Sequence, residues 1–117
     1  EARRFTLGLG DDARAVTFRI LDQARALEQP FEDALHSLAD HPMVTDVRNF
    51  GLIGAVELEP IDGQPTARAM SIFRECFDNG VIIRTTGDTL AFSPPLIIDE
   101  EQIGTVVDAV RTALRNQ

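Results

Sequence analysis

The sequence predicts an α+β fold, a small mostly antiparallel sheet with helices packed on it, and three observations predict it. Apolar residues recur with a helical period in three separate stretches, β-branched runs fall between those stretches in two pairs, and glycine- or proline-bearing turns stand at the joints. The order is α-β-β-α-β-β-α, a sheet with helices layered on it.

The first helix is read from Asp12 to Ala39. Val16, Ile20, Ala24, Leu27, Phe31, Leu35 and Leu38 advance by three or four residues, the spacing of one helical stripe. Pro30 lies inside this stripe and cannot donate to the carbonyl of Ala26, so a kink, or two helices nearly in line, is expected there. The stretch from Ala39 to Pro42 ends it.

Residues 44–50 and 52–59 read as adjoining strands around Gly51. Period-2 alternation puts Leu52, Val56 and Leu58 on one face. Gly54 shares that face, where it leaves room for a close approach by another element or marks a bulge. The connector from Pro60 to Pro65 carries the turn pair Asp62-Gly63. A second helix starts near Thr66 with Met70, Phe73 and Phe77 on one side, and Asn79-Gly80 stops it.

Strands 81–84 and 89–92 flank the turn from Thr85 to Asp88. Asp99 and Gln102 form a capping pair for the last helix, whose apolar face carries Ile103, Val106, Val107, Val110 and Leu114. The expected core is Val16, Ile20, Leu27, Leu35, Leu52, Val56, Phe73, Phe77, Ile82, Val106 and Val110. On this reading a buried Phe73 truncated to alanine costs about 3–5 kcal/mol. Residues 1–12 show no period and read as a tail or tag, leaving 13–117 as one domain.

Composition excludes several function classes. The net charge is -8, which disfavours nucleic acid and anionic membranes, and no run of apolar residues is long enough for a membrane span. The one cysteine, Cys76, can form no internal disulfide and sits between Phe73 and Phe77 as a small buried hydrophobe. A reducing, cytoplasmic setting is the expectation. All 11 basic residues are arginine, so the chain has no lysine amine for Schiff-base chemistry.

Site signals are few. His36 and His41 lie among no metal-ligand cluster and read as solvated or capping residues. Ser37, Ser71 and Ser93 stand in no nucleophile-elbow motif, and neither Gly8-Leu9-Gly10 nor Asp62-Gly63-Gln64 matches a phosphate-cradling loop. Arg84 differs, because it closes the apolar run Val81-Ile82-Ile83 and opens a glycine-bearing turn. That placement suits two-point recognition of a carboxylate or phosphate. Periodicity alone favours an ordinary strand-end arginine paired with Asp88.

The segments Phe31–Leu38, Asp46–Leu58, Gly80–Thr89 and Ser93–Ile98 resemble, in order and spacing, the C-terminal part of class III pyridoxal-phosphate aminotransferases. Within that family they are most similar to the ω-amino acid:pyruvate, or β-alanine:pyruvate, enzymes. The resemblance spans roughly residues 13–115. It implies a small domain that packs on a large domain holding pyridoxal phosphate and the catalytic lysine. It also implies that Arg84 is the mobile arginine that grips the carboxylate of the amino or keto acid. The chain itself then binds no cofactor, supplies no catalytic residue and is inactive alone.

Residues 1–12 depart from the family pattern, and both a cut segment and a natural remnant fit that departure. The expected partners are the large domain and further copies of the chain in a homo-oligomer such as a dimer, with the long first helix or a strand edge as the self-associating surface. An alternative is a free-standing, non-catalytic binding or self-association module derived from such a domain.

Overall fold

The computed structural model describes residues 10–117. Helix α1 spans Asp11–His36 and passes into a 3-10 turn, Ser37–Asp40. Strands β1 (Val44–Phe50) and β2 (Ile53–Leu58), helix α2 (Ala67–Asp78), strands β3 (Arg84–Thr86) and β4 (Thr89–Phe92), and helix α3 (Glu100–Arg115) follow. All strand pairs are antiparallel, in the order β1-β2-β4-β3. The α+β class and the element order stand as expected. Residues 1–9 of the anticipated tail lie outside the described residues, whereas Asp11 and Asp12 already belong to α1, where their charges favour the helix N-terminus.

Helix α1 runs unbroken through Pro30. The missing proline donor costs one intrahelical bond, and packing of Phe31 and Leu35 into the core on the next turn holds the helix together. Its C-terminal end is tied on two sides. Ser37 Oγ donates to Ala34 O (2.6 Å) and accepts from an Arg111 guanidinium nitrogen of α3 (2.6 Å). The His36 ring lies 2.8 Å from the Asn49 amide oxygen of β1, and Asn49 donates to Glu32 (3.3 Å).

Both hairpins close through two residues, the first of which is a glycine at positive φ: Gly51 (57°) between Phe50 and Ile53, and Gly87 (60°) between Thr86 and Thr89. A side chain there would be strained, and this arrangement suits the twist of paired strands. Leu52 therefore belongs to the first turn, although its side chain is still buried.

One face of the sheet carries Gly54, Val56, Leu58, Leu90 and Phe92 into the core, facing all three helices. Gly54 is where α1 comes closest. A Cβ built on it would stand 2.3 Å from Leu35 Cδ2 and 3.3 Å from the Phe31 ring, so the anticipated close approach is present.

Helix α2 ends in a Schellman motif. Gly80, at φ 85°, donates to Phe77 O (3.0 Å), and Val81 donates to Cys76 O (2.8 Å) while packing into the core beside it. At α3 the Asp99–Gln102 capping box is complete.

Part of the expected core is corrected. Val16 is 44% exposed because the first turns of α1 overshoot the sheet, and Ile20 is only half-buried there. Helix α2 buries Ala69, Ile72 and Cys76 instead of an aromatic stripe. Phe77 is 56% exposed and stacks on Phe73, their centroids 6.3 Å apart, at the helix surface. Phe73 is half-buried, so its truncation should cost about 1–1.5 kcal/mol, roughly half the worth of fully burying an apolar side chain, in place of the full-core figure. Leu27 and Val106 are also partly buried, against the core cluster. Leu35, Leu52, Val56 and Val110 are buried as expected.

Cys76 is fully buried, and desolvation pushes its thiol from the ordinary 9.0 up to about 11. The folded state therefore holds the proton that the unfolded chain releases from about pH 9. The thiol's contribution to stability is fully present below the unfolded value and is lost as pH rises toward 11. At pH 8 a thiol reagent should label Cys76 slowly in the native protein and rapidly in denaturant.

Candidate functional site

Arg84 opens strand β3 instead of closing a strand over 81–84. The ladder pairs Arg84 with Ala91, and the next positions along β4 run through Ser93 into Pro94 and Pro95, which have no N–H to offer a partner. Pairing stops there, and residues 81–83 enter the sheet as unpaired chain. Val81 and Ile83 turn inward and are buried, and the intervening Ile82 is 77% exposed, which corrects its assignment to the core.

The partner considered for Arg84, Asp88, is engaged elsewhere. Its carboxylate accepts from the Thr66 backbone N–H (2.9 Å), holding Thr66 at a φ of 69° ahead of α2. The ion pairs among the described residues join Arg48 to Asp46 (2.7 Å) and to Glu57 (2.9 Å). Those two carboxylates, Asp46 first, raise the Arg48 pKa further. Among the described residues Arg84 has no ion-pair partner, and it is exposed on the short edge strand.

Arg84 also lines a cleft of about 300 Å³ at this end of the sheet. Its other walls are mainly apolar: Phe31 from α1, Ile82 and Ile83 ahead of β3, the Pro94-Pro95 bend after β4, Ile98 ahead of α3, and Val106 and Val107 within it, with Ser93 a polar member of the lining. An unpaired guanidinium against such walls can hold an anion by two parallel hydrogen bonds with little competition from other charges. A cation with an apolar wall beside it fits a carboxylate joined to a hydrocarbon chain.

The cleft residues other than Arg84 were not singled out from sequence. The available signal was Pro94-Pro95, which must end β4 and turn the chain back across the strand ends. His36 and His41 play local roles, His36 against Asn49 and His41 accepting from the Met43 N–H (3.1 Å). Among the described residues no group of three or more histidines, cysteines or carboxylates could hold a metal, and no helix is long and apolar enough to cross a membrane.

Comparison with known proteins joins this geometry to a family. Residues 15–114 match the family model described as Aminotransferase class-III. The chain is 52% identical over 92 residues to an omega-aminotransferase of Caulobacter vibrioides, covering 79% of this chain and 21% of that protein. It is 37% identical over 95 residues to a beta-alanine–pyruvate aminotransferase of Pseudomonas aeruginosa, covering 81% and 21%. The chain thus spans about a fifth of the length of these curated relatives.

Among solved structures, a transaminase with L-alanine superposes with a TM-score of 0.80 at 34% identity, over 89% of this chain and 26% of that one. The omega transaminase from Pseudomonas jessenii in complex with PMP gives 0.78 at 30% identity, over 86% and 23%. By the match over residues 15–114 and these identities, the chain belongs to the class-III aminotransferases.

Proposed function

We propose that this chain is the C-terminal small domain of an ω-transaminase-type enzyme, in which Arg84 grips the carboxylate of the amino or keto acid. The observation that carries the reading is the exposed Arg84, with no ion-pair partner among the described residues, at the edge of an apolar cleft in a class-III aminotransferase fold. A free guanidinium in the parent enzyme can take a carboxylate and turn away for an amine that has none. The apolar walls suit the hydrocarbon part of either.

The family's cofactor, pyridoxal phosphate, receives and returns the amino group on its carbonyl carbon. The chain has no lysine to anchor that group, so its residues do not fit the role of cofactor holder, and the anchoring amine belongs to the rest of the parent. The chain's own part is to bind and orient substrate. Mixed with pyridoxal phosphate, an amine and pyruvate, the 117-residue chain should show no turnover and no aldimine absorbance, as followed by alanine formation and ultraviolet–visible spectra. Amine-dependent turnover in a pure sample would overturn the reading. In the full-length parent, Arg84→Lys tests the carboxylate role directly, by comparing an amino acid with a matched simple amine.

A further inference from the structure

The chain has three asparagines, and one of them precedes a glycine: Asn79-Gly80, at the C-terminal end of α2, with both residues exposed. In an open chain such a pair reacts with itself. The Gly80 amide nitrogen attacks Asn79 Cγ, forming an N–C bond in a five-membered succinimide while the Cγ–Nδ2 bond breaks. The proton from the Gly80 N–H leaves with the departing amide nitrogen as ammonia. Water then opens the ring at Cγ to give aspartate, or at the main-chain carbonyl to give isoaspartate, whose backbone runs through the side chain. Glycine favours the attack because it has no Cβ to crowd the nitrogen. Asn49 and Asn116 precede Phe50 and Gln117 and lack that advantage.

The folded helix end blocks this attack at each of its requirements. The ψ of Asn79 is 14°, which nearly eclipses the Gly80 nitrogen with Asn79's own nitrogen and turns it a third of a turn away from Cβ, so the ring cannot close. The Asn79 side chain is folded back along the helix, its Nδ2 donating to Glu75 O (2.8 Å). The Gly80 N–H donates to Phe77 O (3.0 Å), which holds the proton that the attack must release. The Schellman bond from Val81 N–H to Cys76 O (2.8 Å) and the burial of the Val81 side chain keep all three in place.

We propose that Asn79-Gly80 is a self-modification site held shut by the C-terminal end of α2, converting to aspartate and isoaspartate in proportion to the time that end spends open. Conversion then keeps it open. Either product loses the amide donor to Glu75 O, and each adds a negative charge at a helix C-terminus where Glu75 and Asp78 already stand, the end at which the helix dipole disfavours it. Isoaspartate also inserts a backbone carbon ahead of Gly80, so the Gly80 and Val81 N–H groups cannot both reach Phe77 O and Cys76 O. Residues 81–83 lead from this end into Arg84 and supply part of the cleft wall, so a converted molecule carries both on a loosened lead. Cys76, buried in the last turn of α2, loses its cover with the same opening.

Trypsin cuts after Arg74 and Arg84, so one peptide, residues 75–84, reports both Asn79 conversion and Cys76 labelling. The 117-residue chain is incubated at pH 8, folded and in guanidinium chloride, and that peptide is followed by mass and by chromatographic separation of its aspartate and isoaspartate forms. In denaturant Asn79 should convert ahead of Asn49 and Asn116. In the folded chain it should convert about tenfold or more slowly, because the helix end must open first. Val81→Ala keeps the Asn-Gly pair and trims the buried anchor of the Schellman motif, so it should speed conversion severalfold in the folded chain and leave the rate in denaturant unchanged. Folded chain that has already converted should label at Cys76 faster than unconverted chain. Equal conversion with and without denaturant overturns the proposal, as does an Asn79 that converts no faster than Asn49 in denaturant. A Val81→Ala variant that keeps its circular dichroism and converts no faster than wild type also overturns it. Should that variant not fold, the wild-type comparison and the Cys76 labelling of converted chain decide without it.

Discussion

Leu35→Ala should lower the unfolding free energy by about 3–5 kcal/mol, the upper part of the range for deleting a fully buried leucine. Leu35 is wholly inside and sits where α1 crosses β2. Gly54→Ala, by contrast, adds one carbon to the same contact. That carbon would meet Leu35 Cδ2 at 2.3 Å and the Phe31 ring at 3.3 Å, so α1 must shift or Leu35 must leave its rotamer, at about 1–3 kcal/mol. The backbone at Gly54 has no positive φ, so the cost is one of space alone. The double variant is therefore diagnostic. With Leu35 already truncated, Gly54→Ala should cost about nothing, and the two losses should fall short of additivity by more than the ~0.5 kcal/mol seen for independent sites. Urea unfolding of the four proteins measures this, and additive losses would show that α1 does not rest on Gly54.

The same contact shows what was legible in the sequence. Gly54 stood out because it interrupted an alternating apolar face, and a gap on a buried face implies a close neighbour. The order of elements was legible for a similar reason: each helix and strand keeps its own period, and Gly51, Gly80 and Pro94-Pro95 stand at the breaks. Side-chain facing was less legible. Reading α2 by its largest residues selected Phe73 and Phe77, yet the buried stripe is Ala69, Ile72 and Cys76, the face that the helical period turns to the core.

Val16 obeyed the period of α1 and is nevertheless exposed, because a period says which face is apolar and not how far the neighbouring sheet extends. Ile82 was misplaced by taking 81–84 as a strand. Continued past Arg84 and Ala91, the ladder would set Ser93 opposite Ile82 and Pro94 opposite Val81, so the prolines end the pairing strand just where that stretch would join it. The cleft was illegible for a related reason. Phe31, Ile82, Pro94 and Val106 come from four separate segments, and only the antiparallel register of β3 and β4 with α3 folded back brings them to Arg84. Arg84 itself was visible as an arginine ending an apolar run. What sequence could not decide was whether Asp88 neutralises it, and Asp88 instead accepts from the Thr66 N–H.

Arg84→Lys in the full-length parent should reduce kcat/KM for an amino-acid donor by about 10- to 150-fold, while a matched amine without the carboxylate changes little. Lysine keeps the charge and much of the length but loses the planar pair of donors that meets both carboxylate oxygens. The loss corresponds to about 1.5–3 kcal/mol, the range for a hydrogen bond to a charged group. The matched amine never used the grip, so its kcat/KM reports any general damage to the site, and the ratio of the two substrates isolates the carboxylate contact. Folding of the domain should be indifferent to the change, because Arg84 is exposed and has no ion-pair partner to lose among the described residues. A melting temperature equal to wild type would confirm that the comparison is fair. Equal losses for the two substrates would return Arg84 to an ordinary residue of the sheet edge and remove the carboxylate grip from this domain.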